Sequence, residues 1–193
     1  GIRGQAASIL VSYLLAGAAS LGVVYLSVKP FLPLPKDWFR FNLKGLWAGL
    51  AGYFIAVPLV VFVSLLNEAI WQGRGGSNPI LPIALEGRDT VAIVIFFITA
   101  SILAPVFEEL VFRGFLLPSL TRYLPAWGAI VASSAIFAFA HLSLSEVLPL
   151  ATLGMVLGAV YLRSKSIVAP IFLHCLWNSA TLASVFVLGG GVS

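Results

Sequence analysis

"APVFEELVFRGFLLPSL", residues 104–120, sets Glu108, Glu109 and Arg113 in an otherwise apolar run. Three charges in such a place have to be explained by the solvent around them. Of the 193 residues, 60% are hydrophobic and 9% are charged, whereas a water-soluble domain carries roughly 25% charged residues. The mean hydropathy is +1.05. A chain of this composition belongs in lipid.

Six apolar stretches follow from the same pattern, at 5–28, 45–66, 90–117, 126–141, 146–162 and 167–188. A helix crosses the hydrocarbon with about 20 residues at ~1.5 Å rise each. The expected fold is therefore all-α: a polytopic transmembrane helical bundle of about six membrane segments. By this ruler the fourth and fifth segments are short. The first, too long for a signal-peptide core, reads as a membrane helix. The chain begins with Gly1 rather than methionine, so a processed or truncated chain with a missing amino-terminal region is expected.

Residues 1–89 read as amino-terminal membrane helices with an interfacial loop, and 90–193 as the motif-bearing core of what is one membrane domain overall. The loop "NEAIWQGRGGSNPILPIALEGRD" (67–89) carries too much Gly and Pro for one continuous helix. It reads as an interfacial cap, an interfacial helix or a short re-entrant element. Its "GRGG" lacks the strand and the Lys-Ser/Thr of a phosphate-binding loop. "GLWAG" (45–49) and "GMVLG" (154–158) place small residues four apart, which lets helices approach closely.

The net charge of +4 does not call for nucleic acid as a partner. Lys29, Lys36, Arg40, Lys44, Arg122, Arg163 and Lys165 fall on one side of the expected topology, and Arg3, Arg74 and Arg88 on the other. That bias puts the first side in the cytoplasm or its organellar equivalent. Cys175 is the only cysteine, which leaves no disulfide framework within the chain and no paired-cysteine metal site.

Within the opening stretch, each mid-helix charge costs ~2.5–3.5 kcal/mol on insertion scales. Glu109 and Arg113, one turn apart on one face, can pair. Glu108 points about 100° away around the helix. "FAFAH" brings His141 to the end of the fourth segment, one turn after Phe137. "HCLWN" sets His174 and Asn178 on one face of the sixth. Each has a plain structural reading: Glu109 with Arg113 as an ion pair, a buried histidine as a hydrogen-bonded packing residue. Thr99, Ser101, Ser133 and Ser134 are expected to bond back to helix carbonyls, and Cys175 to act as a small hydrophobe. The case for a site rests on the set, because ionisable groups inside a membrane gather in the protein interior.

The chemistry can be narrowed by elimination. Asp37 and Asp89, the only aspartates, fall in loops, which excludes a two-aspartate hydrolase. The zinc motif H-E-x-x-H is absent. Neither Ser133 nor Ser134 has the setting of a nucleophile. What remains is a water activated by carboxylate and histidine. Glu108 is then the general base, His141 holds the water or shuttles its proton, and His174 with Asn178 stabilises an oxyanion.

"EELVFR" (E-E-x-x-x-R), "FAFAH" (F-x-x-x-H) and "HCLWN" (H-x-x-x-N), in that order on successive segments, resemble the CPBP family of CAAX prenyl endopeptidases and bacteriocin-processing or Abi proteins. The resemblance covers about residues 90–190. It implies an intramembrane protease acting on a peptide or membrane-protein substrate, with Glu108 catalytic, His141 assisting, His174 and Asn178 as the oxyanion pair, and Glu109 and Arg113 in support. It implies either no cofactor or zinc, held in that case by Glu108, His141 and His174. Farnesylated CAAX substrates are typical of the eukaryotic members. "GGSNPILPIALEGRD" and "HLSLSEVLPL" further resemble the cyanobacterial and plastid branch, which implies a multi-pass protein of a plastid, thylakoid or cyanobacterial membrane. The rival expectation is a non-enzymatic membrane-protein assembly factor on the same fold, with a membrane-protein complex partner. A proton-coupled transporter ranks last, since the chain shows no repeated halves.

Overall fold

The computed structural model describes residues 1–32, 41–72 and 89–189, with side chains to Ser184. Six principal helices occupy the six apolar stretches: α1 (Ile2–Val28), α2 (Gly45–Trp71), α3 (Thr90–Leu120), α4 (Ala126–Ala140), α5 (Val147–Ser164) and α6 (Val168–Gly189). No strand occurs among the described residues. The stretches Ile2–Phe31, Gly45–Trp71, Thr90–Leu120 and Leu144–Ser164 are long and apolar enough to cross a membrane. The chain is an integral, all-α membrane protein.

The length ruler needs two corrections. The fifth segment is not short: a 3-10 turn at Leu144–Glu146 extends it to 21 residues. Helix α2 runs on through Asn67–Trp71, which the sequence assigns to the following loop. Glu68 and Ala69 favour helix, and the Gly-rich text begins only at Gly73. The helix stops at Gln72, whose left-handed backbone (φ 51°) closes the last turn. The proposed interfacial element, "GRGG" included, lies outside the described residues. With 15 residues, α4 spans ~22 Å, less than the hydrocarbon thickness, as expected.

Of the described residues, 1–32, 89–108 and 174–189 form one compact unit, and 41–72 and 109–173 form a second. Helices α3 and α6 each contribute to both, dividing after Glu108 and after Leu173.

In the first unit, α1 packs on the first part of α3. A Cβ on Gly17 would lie 2.6 Å from the Phe107 ring, so only glycine permits this approach. Ala6 and Gly17 are the only buried residues of α1, an otherwise lipid-ready helix. Asp89 caps α3 by accepting from the Val91 and Ala92 amides at 3.1 and 3.2 Å. Arg3 Nε donates to the same carboxylate at 2.7 Å.

In the second unit, α2 lies against α5 and the start of α6. The small residues of "GLWAG" make this contact: a Cβ on Gly49 would stand 2.5 Å from the Ala169 carbonyl oxygen. The Ser166 hydroxyl donates to the Asn42 carbonyl at 3.0 Å, tying the chain before α2 to the start of α6. The "GMVLG" face of α5 meets α4, with Gly154 close against Ser134. Leu117, Ala129, Ile130, Tyr161 and Ile167 form the buried centre of this unit.

Candidate active site

Helix α3 is not a uniform α-helix where it carries the charges. The α-helical stretch Ala104–Val111, which holds Glu108 and Glu109, lies between two wide π-helical turns, Thr99–Leu103 and Phe112–Leu116. Each wide turn ends two positions before a proline. Pro105 and Pro118 have no N–H, and their rings crowd the carbonyl one turn back. Widening the preceding turn relieves that crowding. Thus the Ala104 N–H donates to Thr99 O, and the Leu117 N–H to Phe112 O.

The first wide turn has a specific consequence. In an α-helix the Ala100 carbonyl would receive the Ala104 N–H, but that donor now serves Thr99. In a continuing π pattern it would receive the N–H of residue 105, which is proline. An Asn178 side-chain N–H from α6 takes the position instead, donating to Ala100 O at 2.8 Å.

One turn before Asn178, His174 is buried on α6. Its Nε2 stands 3.9 Å from Oε2 of Glu108, with the two side chains 3% and 26% exposed. That spacing exceeds a direct hydrogen bond. Glu108, His174 and Asn178 all belong to the first unit.

The remaining candidates belong to the second unit. Arg113 Nη1 donates to Glu109 Oε1 at 2.7 Å, both side chains fully buried. Nη2 donates to the Gly154 carbonyl at 3.0 Å. The guanidinium lies 4.7 Å from the centre of the Phe137 ring, a cation–π distance. Phe137 in turn meets the His141 ring edge to face at 4.7 Å.

His141 ends α4 and also caps it. Its backbone N–H turns to Ala138 at 3.2 Å, which leaves the Phe137 carbonyl without its usual helical donor. His141 Nδ1 lies 2.8 Å from that carbonyl. A carbonyl only accepts, so Nδ1 carries the proton and Nε2 is the acceptor nitrogen. The next residue, Leu142, lies in the left-handed region at φ 55°.

The structure thus joins Glu109 to Arg113, as their spacing expects, and links them through Phe137 to His141. It also brings Glu108 near His174. The wide turns were not anticipated. Their signal is the pair of prolines, Pro105 and Pro118, bracketing the charged stretch.

Residues 90–180 match the sequence model of the family described as Type II CAAX prenyl endopeptidase Rce1-like. Through this segment the chain is similar to the Rce1-like family. It is 30% identical over 161 residues to YdiL of Bacillus subtilis, named as a membrane peptidase, a match covering 76% of this chain and 61% of the relative. It is 29% identical over 138 residues to the membrane-embedded CAAX protease MroQ of Staphylococcus aureus, covering 68% and 54% respectively. The chain therefore spans about three fifths or less of the length of these relatives. No solved structure matches it.

All six candidate residues fall inside the Rce1-like segment. The zinc expectation meets a poor fit: among the described residues, no group of three or more His, Cys, Asp or Glu side chains could hold a metal ion. Glu108 and His174 supply two donors, whereas a catalytic zinc takes three protein ligands. The hydroxyl expectations hold for Thr99, Ser133 and Ser134, which donate to Ile95 O, Ile130 O and Ile130 O at 2.7, 3.2 and 2.7 Å. Ser101 departs from them. Its hydroxyl is buried with no hydrogen-bond partner among the described residues. It sits inside the first wide turn, where the carbonyl spacing of an ordinary helix is lost.

Proposed function

We propose that the chain is the core of an intramembrane endopeptidase that hydrolyses a peptide bond of a membrane-associated substrate. The observation that carries the reading is the Glu108 carboxylate, partly exposed and 3.9 Å from the buried His174 imidazole, inside a segment that matches the Rce1-like family. Relatives named as a membrane peptidase and as a CAAX protease support it.

In this reading Glu108 takes a proton from water, and the hydroxide attacks the scissile carbonyl carbon. The motif resemblance alone assigns His141 to holding that water or passing its proton on. The oxyanion receives hydrogen bonds from His174 and from the second amide hydrogen of Asn178, the first being committed to Ala100. The tetrahedral intermediate collapses by breaking the C–N bond, and the amine leaves with the proton that Glu108 took up. Glu109 and Arg113 hold the second half of α3 in place. No step passes through a metal.

The test is Glu108→Gln in protein purified in detergent, with two quenched probes: a farnesylated CAAX peptide and an unmodified transmembrane peptide. Loss of cleavage with the fold retained is expected, and equal cleavage by the variant overturns the reading. Inhibition by a chelator, reversed by Zn²⁺, would overturn the metal-free mechanism alone. The rival role as an assembly factor draws on α1, whose apolar surface is scarcely buried. It requires a stoichiometric partner that still co-purifies after Glu108→Gln. The plastid, thylakoid or cyanobacterial setting is likewise a proposal. It rests on the text flanking the motifs, while the matched relatives come from Bacillus and Staphylococcus.

A further inference from the structure

Asn178 and Pro105 lie 73 positions apart in the chain and serve the same carbonyl from opposite directions. Pro105 withholds the N–H that would have reached Ala100 O, and the wide turn sends the Ala104 N–H to Thr99 O. A carbonyl left without a donor inside a membrane is costly, because lipid offers no replacement. Asn178 supplies that donor at 2.8 Å. This hydrogen bond ties α6 to α3 within one compact unit. It lies one helical turn from His174 along α6 and two turns from Glu108 along α3.

We infer that Asn178 is a positioning residue: its hydrogen bond to the carbonyl orphaned by Pro105 sets the separation of His174 from Glu108. The inference rests on the proposed function for its effect on catalysis, but not for the bond itself. A hydrophobic contact between the helices would let α6 slide or turn by small amounts. A hydrogen bond to a fixed backbone carbonyl does not, because its strength falls steeply with distance and angle. It acts on the one helix register that aims His174 at Glu108. Any donation from the second amide hydrogen to a reacting oxyanion adds to this role and does not replace it.

The experiment is a double-mutant cycle of Asn178→Ala and Pro105→Ala in the whole purified chain. Pro105→Ala restores a backbone N–H, so Ala100 gains a donor of its own whether the turn stays wide or relaxes to α. The fall in Tm caused by Asn178→Ala is therefore expected to be large with Pro105 present and small in the Pro105→Ala background. On whichever probe peptide is cleaved, Asn178→Ala is expected to lower kcat with KM held within about twofold. That kcat loss should shrink about tenfold in the Pro105→Ala background, the size of coupling expected between groups that share one partner.

Equal Tm losses in both backgrounds overturn the inference, and that arm decides even where Pro105→Ala is itself inactive. A coupled Tm with kcat per folded molecule unchanged by Asn178→Ala also overturns it, since the bond would then be merely structural. An equal kcat loss in both backgrounds assigns Asn178 to the reacting atoms alone and overturns it too. Cleavage that survives Glu108→Gln defeats the proposed function separately, and the Tm cycle is read without reference to it.

Discussion

Glu109 lies fully buried at 2.7 Å from Arg113, whereas Glu108, its neighbour in the chain, keeps 26% of its side chain exposed and stands 3.9 Å from His174. About 100° of rotation around the helix separates the two carboxylates, and they belong to different compact units. The arginine beside Glu109 also holds the Gly154 carbonyl and the Phe137 ring, so that charge is absorbed into packing. The imidazole near Glu108 stands 3.9 Å away, and the carboxylate keeps part of its surface exposed. A buried charge paired with its opposite in this way serves the fold. A carboxylate kept accessible beside an imidazole can exchange a proton.

The sharpest way to break this contrast is to neutralise each carboxylate in turn. Glu108→Gln should leave thermal unfolding in detergent almost unchanged and lower kcat by about 10²–10⁴, the usual contribution of a general base. Glu109→Gln or Arg113→Met leaves the other partner buried and uncompensated. Each should cost ~3–5 kcal/mol of stability, measured by unfolding in a denaturing detergent. If the Glu109 variant unfolds normally but loses activity, the two carboxylates share one task and the contrast fails.

The contrast was partly legible in the sequence. The spacing of Glu109 and Arg113 fixes their pairing, because residues four apart on a helix share a face. The same logic placed Phe137 beneath His141 and set His174 and Asn178 on one face. Helix lengths were legible too, since apolar runs in lipid must match a thickness. What could not be read were the wide turns. They arise from competition among Thr99, Ala100 and Pro105 for backbone donors, and periodicity assumes 3.6 residues per turn throughout. Ser101 was misjudged for the same reason. So was the length of the fifth segment, where a 3-10 turn at Leu144–Glu146 adds residues that no apolar run announces.

Ser101 offers a finer test on the side of Glu108. Its hydroxyl is fully buried, with no partner among the described residues, and such a group costs roughly 1–3 kcal/mol to leave unsatisfied. Ser101→Ala should therefore be neutral or stabilising by up to about 1 kcal/mol in thermal unfolding. Ser134→Ala in the other unit removes a hydroxyl already bonded to Ile130 O and should bring no such gain. A Ser101→Ala variant that keeps its stability and loses cleavage would show the hydroxyl serving the substrate or its water.

The smallest expected effect lies at the amino-terminal end of α3, where charge is compensated in contact with water. The hydrogen bond from Arg3, followed by those from the Ala92 and Val91 amides, lowers the pKa of Asp89 below the ordinary carboxylate value. A carboxylate whose pKa is lower folded than unfolded adds stability above its unfolded pKa. That stability is lost as pH falls through the folded value. The cap on α3 should accordingly be intact at neutral pH and weaken only below the ordinary range of about 4. Hydrogen exchange at the Val91 and Ala92 amides should quicken there, after correction for the intrinsic rate. Arg3→Gln should move the transition to higher pH, and added salt should do the same to a lesser degree, because an exposed pair is screened. An onset that ignores both changes would mean that the two backbone amides alone hold Asp89. Compensation at this end of the helix would then owe nothing to the ion pair, unlike that at Glu109.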